Sequence, residues 1–238
     1  MNILAEEQKI DEAINYFENA TEEELYSFLE GNDDVLKQIA VLQLEKVSSS
    51  DEVDKILNTL TDHPSETREY CSFLVNRLLK NESYRKFFTS EKAFASIERA
   101  IFDVNPKVCR KIIEVLPFFI QLDELFPTMI KNCFDLIELL EEKNKEKNYL
   151  YNKKSFHLYW HIFALGYTLN EHLATLHKSD LINLLNALFD FKEYTLREKG
   201  AYLAKELSKL KSEPEILSLV EKYTNDENFY VNERCRFE

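Results

Sequence analysis

Two histidines in the segment HLYWH, His157 and His161, have the spacing most typical of a metal site. Side chains at positions i and i+4 of a helix lie on one face, so the two imidazoles could bind a zinc ion together. The motif HExxH is absent, because Leu158, Tyr159 and Trp160 lie between the histidines. A third ligand would have to come from elsewhere in the chain. The pattern favours two amphipathic side chains on a partly buried helix, and we predict no metal site.

The sequence lacks the patterns that mark nucleotide-dependent or serine-hydrolase chemistry. Neither GxGxxG nor GxxxxGK[ST] occurs, and the chain contains three glycines in total. A GxSxG nucleophile motif is also absent. Paired carboxylates such as Glu141 and Glu142 have no surroundings that would isolate and desolvate one member for acid–base catalysis. We predict no catalytic residue and no cofactor, and the sequence leaves open whether the protein is an enzyme.

The region between residues 143 and 161 alternates lysines with aromatic residues. Such a stretch can follow a nucleic-acid backbone and stack on bases, or it can be a solvated loop whose tyrosines fold back on neighbouring helices. Residues 141–154, EEKNKEKNYLYNKK, are predicted to form a lengthened loop between two helices, and such loops often carry specificity. The predicted partner-binding residues are Tyr149, Tyr151, Lys153, Lys154, His157, Trp160 and His161.

An apolar spacing recurs along the chain and predicts the helices that would position these residues. Each segment has an apolar or small residue four positions after its first residue, and the longer segments have an aliphatic residue at seven. This spacing follows one face of an α-helix. The segments start at Val35, Thr67, Val108, Leu196 and Val231, with a weaker instance at Phe156. The pattern predicts about six units of roughly 30–47 residues, each an antiparallel helix pair.

Aspartate and arginine recur around the same helix starts. An aspartate before a helix can cap it or accept hydrogen bonds from the turn, and it can pair with an arginine of a neighbouring unit to form a ladder. A glycine inside the helix pattern at residue 200 would let two helices approach closely. The predicted structural repeat positions are Asp62, Arg68, Asp103, Asp190, Arg197 and Gly200.

The order Asp, Pro, then a Thr/Val/Leu–Arg pair, as in DHPSETREY at residues 62–70, resembles the second-helix start of HEAT and armadillo repeats. The resemblance covers most of the chain from about Gly31 onward. It implies an all-α, right-handed α-solenoid of about six stacked antiparallel helix pairs, forming a single domain over residues 1–238. It implies little about activity, because such scaffolds serve transport, assembly, signalling and a few enzymes.

Charge and composition limit the classes of partner that the protein can bind. Of the net charge of −13, most lies in residues 1–34, which hold eleven acidic residues and one lysine. We predict that this segment is an acidic N-terminal cap that could attract a basic partner. No signal peptide and no apolar run of about 20 residues are present, and the four cysteines are scattered. The sequence thus predicts a cytoplasmic protein without membrane contact.

We expect a non-catalytic protein–protein interaction scaffold or adaptor that binds a protein partner on the concave face of its second helices. One alternative is an inhibitor or immunity-type protein against a basic partner. Another is a DNA-binding enzyme with HEAT-like repeats, such as an alkylpurine DNA glycosylase, although the acidic balance does not favour nucleic acid. The oligomeric state stays open. The DNA alternative requires that basic residues gather in one concave surface. The cations that this concavity would have to collect are Lys153, Lys154, Lys192, Arg197, Lys199 and Arg234.

Overall fold

The structure of the protein is a computed structural model that describes residues 12–61, 63–142 and 149–236. Within these ranges all regular secondary structure is helical, and no strand occurs. None of the described helices combines the length and the apolar character that a membrane crossing requires. The chain divides into two compact units, Met1–Gln121 and Leu122–Glu238, whereas the single domain over 1–238 stays a prediction.

The first unit contains three antiparallel helix pairs among its described residues. Its helices are α1 (12–19), α2 (Glu22–Glu30), α3 (Asp34–Gln43), α4 (Ser50–Thr61), α5 (Ser65–Lys80), α6 (Glu82–Arg85), α7 (Glu91–Ile101) and α8 (Pro106–Ile113), followed by a 3₁₀ turn at Leu116–Phe118. The pairs are α2/α3, α4/α5 and α7/α8. The first helices α2, α4 and α7 contact one another in order, and so do the second helices α3, α5 and α8.

The second unit repeats this two-layer packing. Its helices are α9 (Leu122–Glu142), α10 (Tyr149–Thr168), α11 (Glu171–Leu176), α12 (Lys178–Phe189), α13 (Tyr194–Leu210), α14 (Pro214–Thr224) and α15 (Phe229–Cys235). The pairs are α9/α10, α12/α13 and α14/α15. The first helices α9, α12 and α14 form one layer, and the second helices α10, α13 and α15 form the other. Stacked helix pairs bury a continuous core that one pair alone cannot provide.

The prediction of an all-α fold built from about six stacked helix pairs is confirmed for the described residues. The right-handed sense of the stack stays a prediction. At the start of the chain, α2 packs against α3 as its pair, and α1 precedes both. A Thr21–Glu24 capping box starts α2, with the Glu24 carboxylate accepting from the Thr21 backbone N–H at 2.8 Å.

The predicted loop at residues 141–154 is helical at both of its described ends. Helix α9 continues to Glu142, and α10 already includes residues 149–154. Tyr151 is buried, so the first turns of α10 contact the protein interior through an apolar ring. This contact supports helix rather than loop at residues 149–154. Residues 143–148 lie outside the described part of the chain.

The predicted repeat positions have different surroundings. Arg68 is paired with Asp103, and Arg197 is paired with Asp226, which follows the next first helix. Asp190 is exposed at the C-terminal end of α12, and no arginine bond to it is seen among the described residues. Asp62 lies outside the described residues.

Two glycines in the second unit lie against tyrosine rings of a neighbouring helix. A Cβ atom built on Gly200 of α13 would lie 2.9 Å from Cζ of Tyr223 on α14. A Cβ atom built on Gly166 of α10 would lie 2.5 Å from Cε1 of Tyr202 on α13. Both distances are shorter than carbon atoms tolerate, so the absence of a side chain at these positions allows the helices their close approach.

Candidate partner-binding surface

The predicted partner-binding residues do not lie on one surface. Tyr149 is 81% exposed, and Lys153 also faces solvent. Tyr151 and Trp160, by contrast, are 3% and 4% exposed, so their rings belong to the protein interior. Tyr151, Trp160 and the equally buried His161 are therefore not exposed to a partner, and the partner-binding role of the seven residues stays a prediction. Helix α10 contacts α9 on one side and α13 on the other, which buries more than one of its faces.

Of the two histidines of HLYWH, His161 lies in the interior and His157 is half-buried. His161 is buried, and its Nδ1 donates a hydrogen bond of 2.8 Å to the backbone carbonyl of His157. Burial lowers the pKa of both imidazoles to about 4, with Lys154 and Lys153 adding to the effect at His157. Both rings are therefore neutral near pH 7. Among the described residues, no group of three or more His, Cys, Asp or Glu side chains could hold a metal ion.

An open groove lies on the second-helix layer of the second unit. It has a volume of about 480 Å³ and is formed by α10, α13 and α15. We call it the tyrosine groove, because tyrosines from all three helices line it. Its lining residues are Tyr159, Tyr194, Thr195, Glu198, Tyr230, Glu233 and Arg234.

Two tyrosines form one wall of the tyrosine groove. The rings of Tyr194 and Tyr230 stack with centroids 5.9 Å apart and an angle of 28° between their planes. They are 44% and 63% exposed, although each ring already has the other as a neighbour. Phe229, beside Tyr230, is also exposed and meets that ring edge to face. This wall is thus a continuous aromatic surface open to solvent.

The charged residues of the tyrosine groove are held by their neighbours. Oε1 of Glu198 accepts from Nζ of Lys199 at 3.3 Å and lies 3.5 Å from Nε of Arg234. The Lys199 ammonium lies 4.7 Å from the Tyr159 ring centre, and the Arg234 guanidinium lies 5.0 Å from the Tyr202 ring centre. Each cation is therefore held by a carboxylate and an aromatic face together.

Half of the cations that the DNA alternative would collect in one concavity are engaged by carboxylates of the protein. Arg197 is buried and bound to Asp226, and Lys199 is 5% exposed and bound to Glu198. Arg234 faces the same Glu198 carboxylate. Three of the six cations named in the sequence analysis therefore have a carboxylate partner within the protein, and two of them share one glutamate.

The second-helix layer of the first unit carries aromatic and cationic residues as well. Phe73 on α5 is 45% exposed, and the Lys111 ammonium of α8 lies 5.3 Å from its ring centre. Asn76 on α5 donates a 2.7 Å hydrogen bond to the Lys111 carbonyl and so ties α5 to α8. The pattern of an aromatic ring with a cation on its face therefore occurs in both units.

No protein-family model matches the sequence, and no curated protein matches it. Among solved structures, a computationally designed armadillo repeat protein for modular peptide recognition is similar to this chain. That similarity has a TM-score of 0.43 and 13% sequence identity, and it covers 89% of this chain and 95% of that chain. The repeat fold of the present chain follows from its own helix packing, in which like helices contact like helices within each unit.

The acidic N-terminal segment is partly neutralised within its described residues 12–34. Glu22 pairs with Lys46 at 3.2 Å, and Glu30 pairs with Lys55 at 3.0 Å. These pairs are largely exposed, so solvent and salt screen them. The negative field of this segment is reduced by these contacts but keeps its sign.

Sequence reasoning missed Tyr194, Tyr230, Glu198 and Glu233. A signal for them exists, because the second and third residues after Leu196 are Glu198 and Lys199, and the same offsets from Val231 give Glu233 and Arg234. In both repeats a glutamate precedes a basic residue at the same offset from the repeat start, and a tyrosine lies just before that start. This shared pattern marks one face of adjacent second helices. Aligning the repeats residue by residue would have revealed it.

Proposed function

We propose that the protein is a non-catalytic interaction module that binds a segment of a protein partner across the second helices of residues 122–238. The observation that carries this proposal is the tyrosine groove, in which exposed aromatic rings stand beside charged groups already fixed by the protein. Tyrosines supply a large contact area at low entropic cost, since only two side-chain torsions must be ordered. Aromatic residues are also enriched at protein interfaces relative to the rest of the surface.

The contacts that already hold the side chains of the tyrosine groove support a binding role over a catalytic one. The stacked rings of Tyr194 and Tyr230 and the Glu198 carboxylate between two cations need little reordering when a partner arrives. A surface that is ordered beforehand loses less entropy on association. The Glu198 carboxylate already contacts two cations, which leaves it suited to holding charged groups in place rather than to taking a proton from a substrate.

A basic partner fits the charge of the protein. The net charge of −13 attracts cationic proteins at long range and repels nucleic acid and anionic surfaces. An inhibitor of a basic protein would use the same binding event with a different biological consequence. The DNA alternative gains little support, because three of the six cations that it needs, Arg197, Lys199 and Arg234, contact Asp226 or Glu198.

A display library of random linear peptides, selected against the immobilised protein, tests this proposal. We expect enriched peptides whose binding is lost in the Tyr194→Ala/Tyr230→Ala variant. Leu217→Ala is the matched control, because Leu217 is an exposed apolar residue on α14, a first helix. Circular dichroism and the melting temperature must show that all variants are folded. Peptides that bind both variants equally, or a selection that enriches nothing, would overturn the proposal.

A further inference from the structure

We infer that the tyrosine groove binds the cationic side chain of a lysine or arginine from the partner segment. This inference rests on the proposed function, since it names the group that the same groove would recognise. The side chain would lie against the Tyr194–Tyr230 wall, with its charged end toward the carboxylates of Glu198 and Glu233.

The aromatic wall favours a cation. The face of a tyrosine ring carries a negative partial charge and attracts ammonium and guanidinium groups within about 6 Å of the ring centre. This protein already uses that interaction beside the groove, with Lys199 on Tyr159 and Arg234 on Tyr202. Over the described residues, no cation of the protein lies on the rings of Tyr194 or Tyr230, although both are exposed.

The carboxylates of the groove can accept a further donor. Both contacts of Glu198 go through Oε1, and the contact of Glu233 with Arg236 also goes through Oε1. A carboxylate has two oxygens and about four acceptor sites, so the Oε2 atoms can take hydrogen bonds from an incoming ammonium or guanidinium. The lining holds two glutamates and one arginine, and Lys199 and Arg236 contact the same glutamates from outside it, so the Oε2 atoms and the ring faces, rather than a net negative charge, would hold the cation.

The other classes of side chain fit less well. An acidic side chain would face both glutamates and the negative field of the whole protein. A purely apolar side chain would cover carboxylates without replacing the water that they lose, which costs free energy. A lysine or arginine satisfies both parts of the groove, because its methylene stem packs on the rings and its charged head reaches the acids. The volume of about 480 Å³ lies within the range of small binding pockets.

Four capped amino acids test the inference by nuclear magnetic resonance titration of the full chain. The cationic probes are Nα-acetyl-arginine amide and Nα-acetyl-lysine amide, and their neutral counterparts are Nα-acetyl-citrulline amide and Nα-acetyl-norleucine amide. We expect only the cationic probes to shift the backbone resonances of Thr195, Tyr230 and Glu233. Tyr230→Leu and Glu233→Gln should each weaken the binding about three- to tenfold, as expected for exposed cation–π and charge contacts.

Glu213→Gln is the matched control, because Glu213 pairs with Lys178 away from the groove lining and its loss should leave the titration unchanged. Citrulline that binds as well as arginine would overturn the inference, and so would shifts confined to the acidic residues of α2. Both binding variants change exposed side chains, so their melting temperatures should stay close to that of the wild type.

The two proposals fail in different ways. Library peptides that need Tyr194 and Tyr230 but show no enrichment of lysine or arginine would uphold the interaction module and overturn the cationic side chain. Cationic probes that bind in the groove while the library yields no peptide would uphold the cation site and overturn the interaction module.

Discussion

Arg68 on α5 donates two hydrogen bonds to Asp103, from Nε to Oδ2 at 2.7 Å and from Nη2 to Oδ1 at 2.9 Å. Arg197 on α13 binds Asp226 in the same two-pronged way, at 2.8 and 3.1 Å. In both units the remaining Nη1 group donates to a backbone carbonyl of the turn that precedes the helix, that of His63 or of Phe191. The arrangement joins a second helix to the turn of the following helix pair.

Each aspartate also organises the helix that comes next. The Oδ1 atom of Asp103 accepts from the backbone N–H of Asn105 at 2.7 Å, and Asp226 accepts from Asn228 at 2.8 Å. The two asparagines are in turn the N-caps of α8 and α15. One aspartate therefore serves an ion pair, a turn and the start of a helix.

We expect Arg197→Met to lower the free energy of unfolding by about 3–5 kcal/mol, because it leaves the buried Asp226 carboxylate without its cation. Urea denaturation measures the change. The control is Arg236→Met, which breaks an exposed pair with Glu233 and should cost less than about 1 kcal/mol. Equal losses for the two variants would show that the Arg197–Asp226 pair has no special structural role.

We expect Gly200→Leu to destabilise the second unit strongly and Gly200→Ala to cost about 1–3 kcal/mol through overpacking. Tyr223 cannot move aside easily, since it is fully buried and its hydroxyl donates to the Leu185 carbonyl at 2.7 Å. Adding Tyr223→Phe to Gly200→Ala should recover part of the loss, because it removes the hydroxyl oxygen that the new methyl group meets. In Gly31→Ala, the control, the new Cβ meets nothing closer than 3.4 Å. An unchanged melting temperature for Gly200→Ala would contradict the close-packing explanation.

The free energy of unfolding should fall as the pH is lowered from about 6.5 toward 4. Burial lowers the pKa of His161 from 6.5 to about 4 in the folded protein, so the unfolded chain binds the proton first over this range. Stability contributed by neutral His161 is complete above pH 6.5 and is lost by about pH 4, to a total of at most about 3 kcal/mol. His157 acts in the same direction, because burial and the nearby Lys154 and Lys153 also lower its pKa.

Urea denaturation of His161→Gln at several pH values checks this prediction, and we expect a flatter pH dependence than in the wild type. Exposed His172, changed to Asn, controls for the loss of a histidine elsewhere in the same unit. A wild-type free energy of unfolding that is constant from pH 6.5 to 4 would show that His161 is not held neutral by burial.

The cysteine thiols should react with a thiol reagent such as dithiobisnitrobenzoate only as the protein unfolds. All four cysteines are buried and free, and burial raises the pKa of Cys109 and Cys235 to about 12. The thiolate is the reactive form, so both access and ionisation oppose the reaction. The reaction rate should rise with urea in parallel with unfolding. A fast reaction in native buffer would identify a thiol that local opening exposes.

The helix starts were predictable because their apolar spacing is local. Helices α3, α5, α8, α13 and α15 begin one or two residues before Val35, Thr67, Val108, Leu196 and Val231. The predicted helix start near Phe156 was wrong, because α10 already includes Tyr149, and apolar and aromatic residues together surround the helix. A helix of that composition has no single apolar face for a sequence pattern to detect.

The candidate site was less predictable than the fold. A sequence does not reveal which faces of an aromatic helix are covered by its neighbours, so it could not show that Trp160 and Tyr151, named as partner-binding residues, lie in the interior. We expect Trp160→Ala to lower the free energy of unfolding by about 3–5 kcal/mol, since it empties a buried position. Tyr149→Ala, at an exposed position on the same helix, should have little effect in the same urea denaturation.

The shared aspartate of each turn has a consequence for redesign. Arg197, Asp226 and Asn228 satisfy one another and fix where α15 begins, and none of the three lines the tyrosine groove. The side chains that fix the turn before α15 are thus separate from those that line the groove. We expect that groove residues such as Tyr230 and Glu233 can be exchanged without loss of the helix start, because the turn that fixes α15 stays unaltered.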